Sequence, residues 1–155
     1  MKLSTKGLNE TLKELEKIRE NTDSIIEEAI EEGINIVTDE LRNEIENLKT
    51  RRDEEDSSYP TKANQKNLLN SLGYTPVKTD GSVFDAKAGF KGLDNHKTKA
   101  YPAGHPNAVI ASAINHGTSF MQAQPFLNKA AKKARKKAIE KMDEIISKGI
   151  KKYNH

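Results

Sequence analysis

Between Asn115 and Leu127 the chain reads Asn-His-Gly-Thr-Ser-Phe-Met-Gln-Ala-Gln-Pro-Phe-Leu and runs straight into an Ala/Lys-rich segment. Few stretches restrict a fold as tightly. Gly117 can end a helix in the left-handed conformation, a hydroxyl from Thr118 or Ser119 can satisfy a freed backbone group, and Pro125 suits the opening of a new helix. Phe126 and Leu127 give that new helix its apolar anchors. The expectation is an elbow between two helices, an architectural feature with no chemistry of its own.

Helical periodicity extends to both sides of this elbow. Upstream, Pro106 fits a first helical turn, and Val109, Ile110, Ala113 and Ile114 share a face. Downstream, Leu127, Ala131, Ala134, Ala138, Met142 and Ile145 form one stripe, small in its first half and large in its second. That gradient predicts close contact with a sheet near Ala130 to Ala138, with Lys129, Lys132, Lys133, Lys136 and Lys137 on the opposite side. At the other end of the chain Leu8, Leu12 and Leu15 recur at helical spacing. After Asn21-Thr22-Asp23 a second run places Ile26, Ile30, Ile34, Val37, Leu41, Ile45 and Leu48 on one stripe. Ser24 with Glu27 matches a capping box and predicts a new helix, or a kink in a continuing one. Glu27, Glu28, Glu31 and Glu32 read as a solvated face, and Gly33 on the stripe's margin would let another backbone approach.

The middle is less regular. From Lys49 to Gln65 charges, a Ser-Ser pair and Tyr59-Pro60 indicate a mobile loop. A hairpin is predicted next: Leu68 to Val77, a tight turn at Asp80-Gly81, and a return strand in which Phe84, Ala86, Ala88 and Phe90 alternate with Asp85, Lys87 and Gly89. Pro76 cannot donate to a ladder, so the first strand lies at an edge or ends there. Lys91 to His105 is a long polar loop, expected to be mobile, with Leu93 and Tyr101 as its only evident core residues. The reading is one α+β domain over residues 1–155. It has a long N-terminal helix or helix pair, a small, mainly antiparallel sheet with a hairpin, a short helix, and a C-terminal amphipathic helix packed on the sheet.

Charge divides this chain more sharply than its net +3 indicates. Residues 1–56 carry 9 basic and 17 acidic side chains, residues 57–125 carry 7 and 3, and residues 126–155 carry 10 and 3. Oppositely charged ends can pair within one chain, or the acidic helix of one copy can meet the basic helix of the next. A hydrophobic fraction of 34% and a mean hydropathy of −0.81 leave a lean core, which self-association would supplement. With no cysteine, disulfides and thiolate metal sites are excluded. Met1 to Glu20 is polar and charged, so neither a signal peptide nor a membrane span is expected.

Catalysis has no visible carriers. His96, His105, His116 and His155 lack the i, i+4 spacing of a helical zinc pair, and no phosphate-binding glycine loop, nucleophile elbow or paired-carboxylate motif is present. No metal and no cofactor is expected. A small enzyme using His116 and Thr118 would have no substrate that the sequence can name. The basic C-terminal helix raises nucleic-acid association as the alternative function. Against specific binding, lysine dominates arginine, stacking aromatics are missing from the basic face, and Glu140, Asp143 and Glu144 interrupt it.

Gly117-Thr118-Ser119 followed at this distance by Pro125-Phe126-Leu127 resembles the signature of bacteriophage tail-completion, or head-tail joining, proteins of long-tailed phages and prophages. The likeness extends along most of the chain: Gly7-Leu8 stands at the start of the first helix, and Leu68, Ser71 and Leu72 match the family's sheet-opening segment. Gln65-Lys66 stand where that family usually has Thr-Gly, and Asn115-His116 replace a frequent acidic-aromatic pair. The resemblance implies a non-enzymatic virion component of the neck or tail, made in the host bacterial cytoplasm. It further implies a homo-oligomeric ring, often a hexamer, that contacts neighbouring neck and tail proteins. The acidic first helix and the basic last helix would meet between ring neighbours, with Lys132, Lys133 and Lys136 as the pairing residues.

Overall fold

A computed structural model describes residues 5–53 and 55–153, with side chains for 12–53 and 55–152. In chain order the elements are α1 (Thr5–Glu46), α2 (Lys62–Ser71), β1 (Leu72–Tyr74), β2 (Lys78–Thr79), β3 (Phe84–Asp85), β4 (Ala88–Phe90), α3 (Asn107–His116) and α4 (Phe126–Tyr153). The fold is α+β, as the sequence indicates.

The N-terminal third is one helix, not a pair. α1 passes through Asn21-Thr22-Asp23 without a break because the polar groups there are satisfied along the helix itself. Thr22 Oγ1 donates to Ile18 O at 2.8 Å, and Arg19 Nε lies 3.8 Å from Asp23 Oδ2. The Ser24/Glu27 pair therefore caps nothing. The side chain of Leu8 lies outside the described residues.

α4 lies antiparallel along α1, and here the expectation of a helix on the sheet is corrected. The first turn of α4 meets a strand where the Phe126 ring stands edge-on to Phe90 with centroids 6.3 Å apart, and further along Ala138 and Met142 line a shallow pocket with Phe84, Asp85 and Ala86. Beyond its first turn the helix runs down α1, guided by small residues and by charge. Ala29 on α1 and Ala130, Ala134 and Ala138 on α4 are buried, so the two backbones can approach closely. Two glycines act as sockets. A Cβ on Gly33 would fall 2.8 Å from Met142 Sδ, and one on Gly149 would fall 2.7 Å from Ile25, so each helix receives a side chain of the other. Gly33 thus admits a methionine rather than a second backbone. Across the seam Lys133 Nζ is 2.5 Å from Glu44 Oε1, and Lys137 Nζ is 2.7 Å from Glu40 Oε1. Of the two pairings that the charge division allowed, the one within a chain is realised. The buried row on α4 is Phe126, Ala130, Ala134 and Ala138, and Ala131 is exposed. With alanine at both 130 and 131, periodicity had no large side chain to fix the phase.

The hairpin forms in two short ladders. β1 pairs with β4 (Leu72↔Phe90, Gly73↔Gly89, Tyr74↔Ala88) and β2 with β3 (Lys78↔Asp85, Thr79↔Phe84). Between them Thr75-Pro76-Val77 faces Ala86-Lys87, so the strand that carries Pro76 has one residue more and the ladder is interrupted there. Thr75 keeps the two strands joined by donating its N–H to Lys87 O at 2.9 Å. Phe84, Ala86, Ala88 and Phe90 are half-buried while Asp85, Lys87 and Gly89 are exposed, as the alternation predicts.

At the hairpin turn one Asp80 carboxylate oxygen accepts from the N–H groups of Ser82 and Val83, both at 2.9 Å. These backbone bonds, with the Ser82 hydroxyl, hold the Asp80 pKa below the ordinary carboxylate value. A depressed folded pKa means that the contribution is complete above the unfolded value and is lost as pH falls through the folded one. Acid titration followed by amide NMR is expected to release Ser82 and Val83 before the helices respond. Unshifted amides through that range would remove this role from Asp80.

The segment expected to be loop through Gln65 becomes helical at Lys62. Thr61 and Asn64 form a reciprocal cap: Asn64 N–H donates to Thr61 Oγ1 at 2.9 Å, and Thr61 N–H donates to Asn64 Oδ1 at 3.1 Å. α2 then holds Leu68 to Ser71, which the sequence places in a strand. The core lies where α2, α3, the end of α1 and the start of α4 converge, and its largest fully buried side chains are Phe126, Ile45, Leu68 and Ile114. Leu93 and Tyr101 do not join it, being 51% and 36% exposed. Asp94 and Gly104 are the buried residues of that loop, and the Asp94 carboxylate accepts the N–H groups of His96 at 3.0 Å and His105 at 2.8 Å. A carboxylate that organises backbone does not register as a core residue in a sequence.

Candidate functional site: the α3–α4 elbow

Most residues of the elbow have an identifiable task. α3 ends where Gly117 N–H donates to Ala113 O at 2.8 Å. Gly117 has positive φ, as expected, but its φ 78°, ψ 175° lie in the extended region reserved to glycine and not in the left-handed helical region. This difference matters. An extended glycine turns the chain out of the helix abruptly, and the next turn closes against it. Thr118 N–H donates to Met121 O at 2.9 Å, while its hydroxyl oxygen accepts from Met121 N–H at 3.0 Å. Ser119 is exposed.

Gln124 N–H donates to Ile114 O at 2.8 Å, so the chain folds back onto the C-terminal end of α3. Pro125 precedes α4 and its carbonyl accepts from Lys129 N–H at 3.1 Å, while Phe126 is 2% exposed and Leu127 packs against the core. Thr118, Pro125, Phe126 and Leu127 thus act where the sequence placed them.

Three residues that sequence reasoning missed lock the angle. Asn115 is 3% exposed, and its Oδ1 accepts Leu127 N–H at 3.0 Å, so a side chain of α3 caps the first turn of α4. The Gln124 amide brackets the Lys49 backbone: Lys49 N–H donates to Oε1 at 2.8 Å, and Nε2 donates to Lys49 O at 3.0 Å. Gln122 N–H donates to Ser58 O at 3.0 Å, and its Oε1 accepts the Tyr59 hydroxyl at 3.1 Å. The two glutamines bind the elbow to the segment after α1. Nothing in local spacing could pair positions 49 and 124. Asn115, two residues before a helix-ending glycine, was the one available signal.

Beside the elbow Phe120 is 65% exposed and, with Met121, borders a groove of about 680 Å³ floored by Val109, Ile110 and Ala113 of α3. His96 and His105 lie on its rim with ring centroids 5.6 Å apart, and His105 Nε2 is 3.3 Å from Thr98 Oγ1. Among the described residues no group of three or more His, Cys, Asp or Glu side chains is placed to hold a metal ion. His116 and Thr118 are each used locally. His116 Nδ1 lies 3.0 Å from Ser112 O on its own helix, and the Thr118 hydroxyl is held by its own turn.

The three pairing lysines separate. Lys132 and Lys136 are exposed, Lys136 lying 3.7 Å from Glu140 one turn on, whereas Lys133 bends back to the buried Glu44 of its own chain. Lys133 and Lys137, placed by periodicity on the face opposite the seam, are in fact its charged border. No protein-family profile, curated protein or solved structure matches the chain.

Proposed function

We propose that this protein is a non-enzymatic virion assembly component, a tail-completion or head-tail joining protein that works as a ring of identical copies at the neck or tail end of a phage particle. One observation carries the reading: the Gly117–Leu127 elbow, on which the family resemblance rests, is a hydrogen-bonded joint that fixes the direction of a long helix. A rigid angle between elements is what a self-assembling part requires, because ring closure depends on orientation repeated from copy to copy. The exposed surfaces agree in charge. Glu27 and Glu31 on α1 and Lys132 and Lys136 on α4 face solvent, whereas Glu28 and Glu32 share a shallow groove with Lys141, Lys148 and Lys152 of their own chain. Neighbouring copies would therefore meet through Lys132 and Lys136, with Lys133 withdrawn from that role. No described helix is long and apolar enough to cross a membrane.

Native mass spectrometry and electron microscopy of the full chain test this reading. Rings are expected, hexameric by the resemblance. Reversing Lys132→Glu and Lys136→Glu should lower the assembled fraction several-fold at low salt and leave the thermal melt unchanged, since neither lysine supports the α1–α4 seam. Unaltered assembly would count against the pairing. A monomer that retards DNA at physiological salt would favour nucleic-acid association through the same lysines.

A further inference from the structure

We infer that the outward face of the β1–β4 ladder is a docking site for an extended acidic segment of a partner protein, which lays an aromatic ring on Gly73 and Gly89. These two glycines stand directly opposite each other in the ladder. Glycine weakens a strand, because it loses the most backbone freedom on folding and offers no side chain to pack. Here the fold itself gives no reason for either one. Neither has positive φ, and a Cβ added to either would meet nothing within 4 Å. Gly117 and the sockets at Gly33 and Gly149, by contrast, are demanded by crowding or by backbone conformation. A residue choice that works against its own strand, with no compensation inside the chain, points to an outside group that comes close to the backbone.

The surroundings specify that group. Leu72 is buried and Phe90 packs against the core, and side chains alternate along a strand, so Gly73 and Gly89 share the other face with Thr75, Lys87 and Lys91. The two glycines, Pro76 and both lysines line an open depression of about 430 Å³. With no Cβ in the way, a planar ring can rest on the two backbones, as aromatic side chains do over glycine in other sheets. Lys87 and Lys91 lie two residues to either side of Gly89, about 13 Å apart at 3.3 Å per residue. The Lys87 side chain is 78% exposed and reaches Asp85 only at 4.0 Å, and Lys91 enters no ion pair among the described residues. Ammonium groups at both ends of a bare floor select a partner with carboxylates at the same spacing. An extended segment turns every second side chain to one face. An aromatic residue with an acidic residue two places before it and two places after therefore matches floor and flanks together.

The site does not rest on the ring reading and uses none of the elbow, Lys132 or Lys136. Fluorescence anisotropy tests it, with the full chain and a labelled, end-blocked probe peptide of sequence Glu-Thr-Tyr-Thr-Glu. The parent should bind this probe saturably at micromolar concentration. Changing both glutamates of the probe to glutamine, or its tyrosine to alanine, should each weaken binding about 10-fold or more, as should Lys87→Gln with Lys91→Gln in the protein. Gly73→Thr with Gly89→Thr should raise the melting temperature, since threonine suits a strand and the space is open, and yet abolish binding. A lowered melting temperature would mean that the fold needs these glycines, and full binding by this variant would mean that nothing approaches the floor; either result overturns the proposal. So does a parent that fails to saturate at ~1 mM probe, or one that binds the glutamine or the alanine probe as tightly as the original. Reversal of Lys132 and Lys136 should leave probe binding intact, which separates failure here from failure of the ring reading.

Discussion

Phe126→Ala is expected to destabilise the protein by about 3–5 kcal/mol, the usual cost of removing a fully buried aromatic ring from a core that cannot collapse around the space. The ring is 2% exposed, stands edge-on to Phe90, and lies in the same cluster as Ile45, Leu68 and Ile114. It also joins the start of α4 to β4 through Phe90, so its loss would free that end of the last helix from the strand. For a chain of this size that cost lowers the melting temperature by roughly 10 °C. Thermal unfolding by circular dichroism measures it, and Phe126→Leu should recover part of the loss. A change below about 1 kcal/mol would show that this ring is not a keystone of the core.

Gly117→Ala should cost at least ~2 kcal/mol, for two independent reasons. The φ 78°, ψ 175° conformation is strained for any residue with a Cβ, by about 1–3 kcal/mol. An added Cβ would also lie 2.9 Å from both Met121 O and Ala123 N, backbone atoms that cannot swing aside as a side-chain tip can. Relieving that crowding means opening the Thr118–Met121 turn, which costs about 1–3 kcal/mol more. Gly117→Val should be worse still. Asparagine discriminates between the two possible geometries, since it is tolerated in a left-handed helical cap but gains nothing in the extended region. Gly117→Asn is therefore expected to melt as low as Gly117→Ala, and a melt near that of the parent would contradict the elbow geometry described above.

These two substitutions act on one mechanical unit. Phe126 fixes where α4 begins, and Gly117, with the Thr118 turn and the Asn115 cap, fixes the direction in which it leaves. The α1–α4 seam then carries that direction along the molecule through its alanine row, its two glycine sockets and two lysine–glutamate pairs. In an assembling subunit an error in the joint would be repeated at every contact. The folded monomer and the assembled form should therefore respond together to Gly117, but separately to Lys132 and Lys136.

The sequence by itself determined the elements whose cause is local. Periodicity located the helices that became α1, α3 and α4. The alternation of Phe84 to Phe90 identified the half-buried return strand. Pro76 and Asp80-Gly81 marked where a ladder stops and turns, and Gly117 and Pro125 bounded the elbow. In each case the physical reason is a residue's own backbone preference or the pattern of its immediate neighbours. Tertiary structure alone decided what those elements pack against and which polar groups hold them. Alanine is small enough for either helix or sheet, so Ala130 to Ala138 could not name α1 as their partner, and two adjacent alanines left the phase of α4 open. The reach of Lys133 to Glu44, the Gln124 bracket on Lys49 and the Asn115 cap on Leu127 join positions whose proximity exists only after folding, and a single chain's spacing carries no record of them.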